Sequence, residues 1–445
     1  MRAGVTIRAP GAPKPRRPKA NGVSETATFV AGTGEAGAWA ARTWAAGPNP
    51  LGLTELDVAS GVVLGTVEVP LWPEVTGRPL DVLFDEARKI LERGRCVVAF
   101  SGGRDSSAVL ATLLHVARRD GFDEPLALTA RWPGDAQSDE SAWQEHVARE
   151  LGVRRWEVIT PGADFDLLGP LSTGLLRHHG LLWPAPMAAL TPMIEAAGDG
   201  VFVSGQGGDE VFGTWTTAAA WASARKGRHL RWSWRPLAAA ALPRAVRLQR
   251  AVRRAKPYQS WLTPEASHIQ QEALAREAVN VAPLWWPSYL REVNAERGLR
   301  LGGQAQAALC AARGGSFAAP LLAPAFLSAL AVGGGRLGFG DRTDAMRAVF
   351  SPLLSDAILT RRSKATFGDV FWGPASRRFA QDWDGAGLDR RWVDADALKA
   401  AWAEPRPVYG AALPLQAAWL SVQHRGTPAG TPGGVLPLSG NGEAP

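Results

Sequence analysis

The chain has 445 residues, two cysteines and a formal net charge of +7, enough length for two or three domains around a large core. Six basic residues and no acid fall within the first 20, so the remaining chain carries only +1, which argues against a nucleic-acid binder with a basic body. Cys96 and Cys310 form no CxxC pair and the seven histidines show no metal spacing. No uninterrupted apolar run reaches the about 18 residues of a membrane span, and the nearest, residues 316–330, is cut by Pro320 and Pro324.

Residues 1–22 read as a disordered basic tail, a solvated extension or a docking arm for an acidic partner protein or peptide carrier. The tail lacks an apolar core of the secretory type, so a cytoplasmic setting is expected. Residues 23–78 form a small N-terminal segment. Within it, residues 51–58 and 62–69 alternate well enough to predict a β-hairpin around Ala59, Ser60 and Gly61.

Residues 79–215 read as a nucleotide-binding α/β domain. A helix is predicted over 80–93 and a strand over 96–100. Strands follow at 126–130, 156–159 and 201–204, alternating with helices at 139–151 and 186–197. Such alternation predicts a doubly wound parallel sheet, whose ligands sit at the carboxyl ends of its strands. Residues 216–425 read as all-helical, with segments at 218–226, 243–254, 264–279 and 305–312 and no further strand. Tryptophan pairs such as Trp285 and Trp286 suit core or pocket wall, and residues 426–445 form a Gly- and Pro-rich disordered tail.

Two stretches carry the chemistry. The first, CVVAFSGGRDSS over 96–107, joins a buried strand to a helix whose Val109, Leu110, Leu113, Leu114 and Ala117 recur at helical spacing. The free N–H groups and dipole of that helix start favour an anion. Gly102 and Gly103 leave room for a phosphate, while Ser101, Ser106 and Ser107 offer hydroxyls. Asp105 repels phosphate unless a cation lies between them, so it suits Mg²⁺. Neither GxxxxGK[ST] nor GxGxxG fits. The second stretch, SGQGGDEVFGTW over 204–215, again follows a strand. Gly205 and Gly207 permit close backbone approach, and Asp209 supplies a second carboxylate for the same Mg²⁺.

SGGRDSS resembles the SGGxDS signature of the PP-loop pyrophosphatase superfamily. With DESAWQEHVARELG at 139–152, SGQGGDEVFG at 204–213 and RRSKATFG at 361–368, the order and spacing are similar to the synthetase domain of asparagine synthetase B-type proteins, over roughly residues 80–422. The resemblance implies a PP-loop (HUP-like) α/β fold. It implies an enzyme that adenylates a carboxylate with ATP, releases pyrophosphate and lets an amine attack the acyl carbon. By motif position Ser101, Gly102, Gly103, Asp105, Ser106, Ser107, Gly205 and Gly207 would hold ATP, Asp105 and Asp209 would hold Mg²⁺, and Lys364, Asp209 and Gln206 would be catalytic. Lys364 is one of seven lysines against 42 arginines, and a cation there suits charge on the α-phosphate and the oxyanion.

Three departures shape the expectation. The family's B-type chains open on a nucleophilic cysteine of a glutaminase domain, whereas Arg2 follows Met1 here and no glutaminase is expected. Gln206 stands where asparagine synthetases carry a glutamate, and Ala323 replaces an aspartate of their PFLD-type segment. Related β-lactam synthetases and lasso-peptide macrolactam cyclases use a tethered amine, whose effective concentration is high without an ammonia channel. A specialised amide-forming ligase acting on a small-molecule or peptide carboxylate is therefore expected, with no membrane or nucleic-acid partner. Asparagine synthesis from aspartate and free ammonia is the alternative, and a degraded nucleotide-binding regulatory protein is another. Transfer-RNA modification would call for a basic body or a zinc knuckle.

Overall fold

The computed structural model describes residues 52–131, 140–160, 165–213, 217, 220–221, 230–256, 258–361 and 371–425. The two expected tails and Lys364 lie outside them. Five parallel strands, β1 (Cys96–Ala99), β2 (Leu126–Ala130), β3 (Trp156–Ile159), β4 (Val201–Val203) and β5 (Ser316–Ala318), form one sheet in the order β3-β2-β1-β4-β5. Val97 pairs with Leu126 on one side of β1 and with Phe202 on the other. The order therefore reverses between β1 and β4, opening a crevice beyond their carboxyl ends.

Alternation along the strands divides the core. Val97, Leu126, Leu128 and Phe202 face one buried cluster, shared with Met187, Ile194 and Leu415. Cys96, Val98, Val201 and Val203 face another, shared with Leu83, Val109, Leu113, Leu290 and Leu330. Apolar layers thus cover both faces, as a parallel sheet requires.

The helices that matter below are α1 (Glu55–Ser60), α2 (Pro79–Leu91), α3 (Arg104–Asp120), α4 (Ser141–Glu150), α5 (Thr191–Ala197), α6 (Leu230–Ala241), α7 (Arg244–Val252), α8 (Pro264–Asn280), α9 (Trp286–Asn294), α10 (Arg297–Ala311), α11 (Pro324–Gly334), α12 (Arg342–Phe350) and α13 (Ala412–Arg425). From α6 onward the described chain is helical apart from β5 and connections. No described helix is long and apolar enough to cross a membrane.

Three expectations are corrected. The hairpin over 51–69 is absent among the described residues. Thr54 Oγ1 accepts from Asp57 N at 3.1 Å while Asp57 Oδ2 accepts from Thr54 N at 2.7 Å. This capping box starts α1. Asp57 is also gripped by Arg297, and Thr66 makes only an isolated bridge to Glu296. The helix expected over 186–197 is two pieces, a 3₁₀ segment at Ala185–Leu190 with non-helical Pro186, then α5. The strand pattern does not end at Trp215. β5 adds to β4 through Val203 and Ala318, but its three residues, Ser316–Ala318, show too little alternation to register as a strand.

Candidate functional site

The first loop leaves β1 at the crevice and enters α3. Ser106 Oγ accepts from Ser101 N at 3.3 Å and lies 3.1 Å from Ser101 Oγ, so the loop closes on itself. Gly102 has φ of +77°, a conformation that disfavours a side chain, and its carbonyl accepts from Trp143 Nε1 of α4 at 2.8 Å. α3 begins at Gly103 without a side-chain cap, leaving its first N–H groups for another acceptor. Ser107 Oγ is buried and finds no partner among the described residues.

The second loop packs directly on the first. A Cβ at Gly205 would lie 2.9 Å from Ser106 N, and one at Gly208 would overlap the Asp105 carboxyl carbon. A Cβ at Gly207 would overlap Leu322 of the segment preceding α11, so the APLLAP stretch closes the far side. These glycines are required by contact, whatever ligand the loops take.

Arg342, the first residue of α12, joins the two carboxylates. Its Nη2 donates to Asp105 Oδ1 and Oδ2 at 2.9 and 2.7 Å, while its Nη1 donates to Asp209 Oδ1. Burial pushes the Asp105 carboxyl above its ordinary range, and the guanidinium offsets only part of that cost. For Arg342, burial is outweighed by Asp105 and Asp209, which hold it above its usual value. Two carboxylates thus converge on one cationic centre. No third His, Cys, Asp or Glu completes a metal cluster among the described residues. That donor set fits Mg²⁺, which binds through one or two carboxylates and takes its other oxygens from phosphate and water.

Gln206 is held at both ends. Its Nε2 donates to Leu299 O at 2.9 Å, and its Oε1 accepts from Gln306 Nε2 at 2.7 Å, both on α10. Glu296, one turn before Leu299, has its carboxyl pushed up to about 7 by burial, with Glu277 and Glu210 adding repulsion. Tyr289 on α9 donates to Glu210 O at 2.6 Å, beside Asp209.

Lys364 lies outside the described residues, but the start of its motif is at the loops. Arg361 lies over the Trp143 ring at 4.6 Å, pairs with Glu140 and donates to Gly102 O at 3.5 Å. On the other flank, Leu167 N donates to Phe371 O at 2.9 Å. His178 and His179 close a helix, Pro170–His179, and meet edge to face.

The structure therefore brings Ser101, Gly102, Gly103, Asp105, Ser106, Ser107, Gly205, Gly207 and Asp209 to one crevice, with Gln206 on its α10 wall. Sequence reading missed Arg342, Gln306, Tyr289 and Glu296. A signal for Arg342 exists: a cation in the first turn opposes the helix dipole and needs partners elsewhere. The family model described as asparagine synthase matches residues 83–422. No curated protein matches the chain.

Proposed function

The chain belongs to the asparagine synthase family, and from that premise we propose that it adenylates a carboxylate and passes the acyl group to a tethered or otherwise deprotonated amine, in place of free ammonia. It is an ATP-dependent amide-forming ligase. The finer reading rests chiefly on Gln206. A neutral amide bonded at both ends cannot take the proton that an incoming ammonium must lose before its nitrogen can attack, and a pKa near about 9 leaves little free ammonia at neutral pH.

In this reading the backbone of Gly102 and Gly103, the start of α3, Ser101, Ser106, Ser107, Gly205 and Gly207 seat the triphosphate. Asp105 and Asp209 would hold Mg²⁺, which when bound neutralises phosphate charge. Arg342 holds the two carboxylates together when no other cation is near. Lys364 stabilises the negative charge that develops on the α-phosphate and then on the tetrahedral oxyanion.

The test is amino-acid analysis after incubation with aspartate, ATP and ammonium, for the unaltered protein and for Gln206→Glu. The unaltered protein is expected to form no asparagine above background. Gln206→Glu places a carboxylate against the Leu299 carbonyl and is expected to lower stability by about 1–3 kcal/mol, visible as a fall in Tm. Rapid asparagine formation by the unaltered protein would replace this reading with asparagine synthesis from free ammonia.

A further inference from the structure

The near-neutral charge of the body conceals a segregation. Residues 211–264 contain eleven Arg or Lys and no Asp or Glu, which leaves the rest of the body acidic. Within that stretch α6 and α7 pack with α8 around a groove of about 660 Å³. Arg235, Arg247, Arg250 and Arg254 line it, over a floor of small apolar side chains that includes Ala239, Ala240, Ala275, Ala278 and Val279. No residue of α7 is buried, so the helix spends its apolar side on the groove and little else.

The charge there is not neutralised from the neighbouring helix. Among the acids of α8, Glu272 pairs with Arg276, Glu277 accepts from Gly65 N, and Glu265 pairs with Arg391. Arg247 is built in, donating to the Val279 and Ala282 carbonyls. Arg250 and Arg254 make no ion pair among the described residues. The groove is tied to the second loop through the chain that follows it. Ala282 lines it, the chain continues into α9, and Tyr289 of α9 bonds Glu210 O beside Asp209. Thr217 and Trp221, just beyond the second loop, donate to the Pro283 and Leu284 carbonyls.

We propose that this groove seats an acidic, apolar-bearing segment of a peptide substrate, and so holds the peptide while its carboxylate is activated in the crevice. The inference rests on the ligase reading for the use of the peptide, but not for its binding. Guanidiniums give paired hydrogen bonds to carboxylates, and a floor of methyl groups accepts the apolar side chains between them. A phosphodiester chain would leave that floor uncovered, and a bilayer surface would not enter a concave groove. The basic N-terminal residues of this chain carry the wrong charge to fill it.

The test measures fluorescence anisotropy of a short fluorescein-labelled peptide of alternating Glu and Leu added to the full chain. Its Lys and Leu counterpart, labelled oligo-dT and phosphatidylglycerol vesicles are titrated in parallel. The acidic peptide is expected to bind alone among these, more weakly as salt rises. Arg250→Glu with Arg254→Glu should weaken binding by about tenfold or more, since two charge-assisted contacts become repulsive. Both side chains are exposed, so the melting curve should not move. Ala278→Trp, which fills the floor without changing charge, should weaken binding as well. ATP turnover with small carboxylates should be unchanged in all three substitutions, which separates failure of the groove from failure of the ligase reading. No binding of the acidic peptide, binding insensitive to the substitutions, or groove-dependent binding of oligo-dT or vesicles in its place would overturn the proposal.

Discussion

Gly208→Ala is expected to lose about 10² or more in ATP-dependent turnover. A methyl group there would occupy the space of the Asp105 carboxyl, which is fixed by Arg342 and by the start of α3. Either the second loop retreats or Asp105 rotates away. A displacement of about 1 Å in a positioned group is enough for a loss of that size. Overpacking should also lower stability by about 1–3 kcal/mol. Steady-state turnover, an ATP titration and a melting curve on the same preparation check the result. Full activity with an unchanged melting curve would show that the two loops do not meet at Asp105.

Lys364→Ala should cost about 3–4 kcal/mol of transition-state stabilisation, on the order of 10² to 10³ in rate. ATP affinity and Tm should change little, because the lysine acts on charge that appears only during reaction. Arg361, three residues earlier, is pinned on Trp143, Glu140 and Gly102, which brings the start of this motif to the nucleotide loop. Unchanged turnover would make Lys364 an ordinary surface charge.

The contrast between these two residues marks what a sequence can reveal. The loop around Asp105 was legible because strand, glycine pair and helix start are local. β2 and β3 were legible to the residue, since short runs rich in apolar and β-branched residues lie between clear breaks. β5 was not, because its backbone pairing with β4 rather than its own pattern makes it a strand. The α1 segment reads as either period until the Thr54 and Asp57 capping box decides it. Arg342 meets carboxylates 133 and 237 residues away, and Gln206 is held by a glutamine 100 residues on. No local pattern carries such pairs. The arginine groove was hidden for another reason: net charge averaged over the body cancels a basic stretch against an acidic remainder.

Adenylation in the crevice formed by the two glycine loops requires that pyrophosphate exchange into ATP. The protein is incubated with ATP, Mg²⁺, labelled pyrophosphate and a panel of amino acids and acidic peptides, and label is followed into ATP. Exchange is expected with at least one carboxylate, AMP as the nucleotide product when an amine is supplied, and loss of both in Asp105→Asn. Formation of ADP in place of AMP with every carboxylate that stimulates turnover would contradict it.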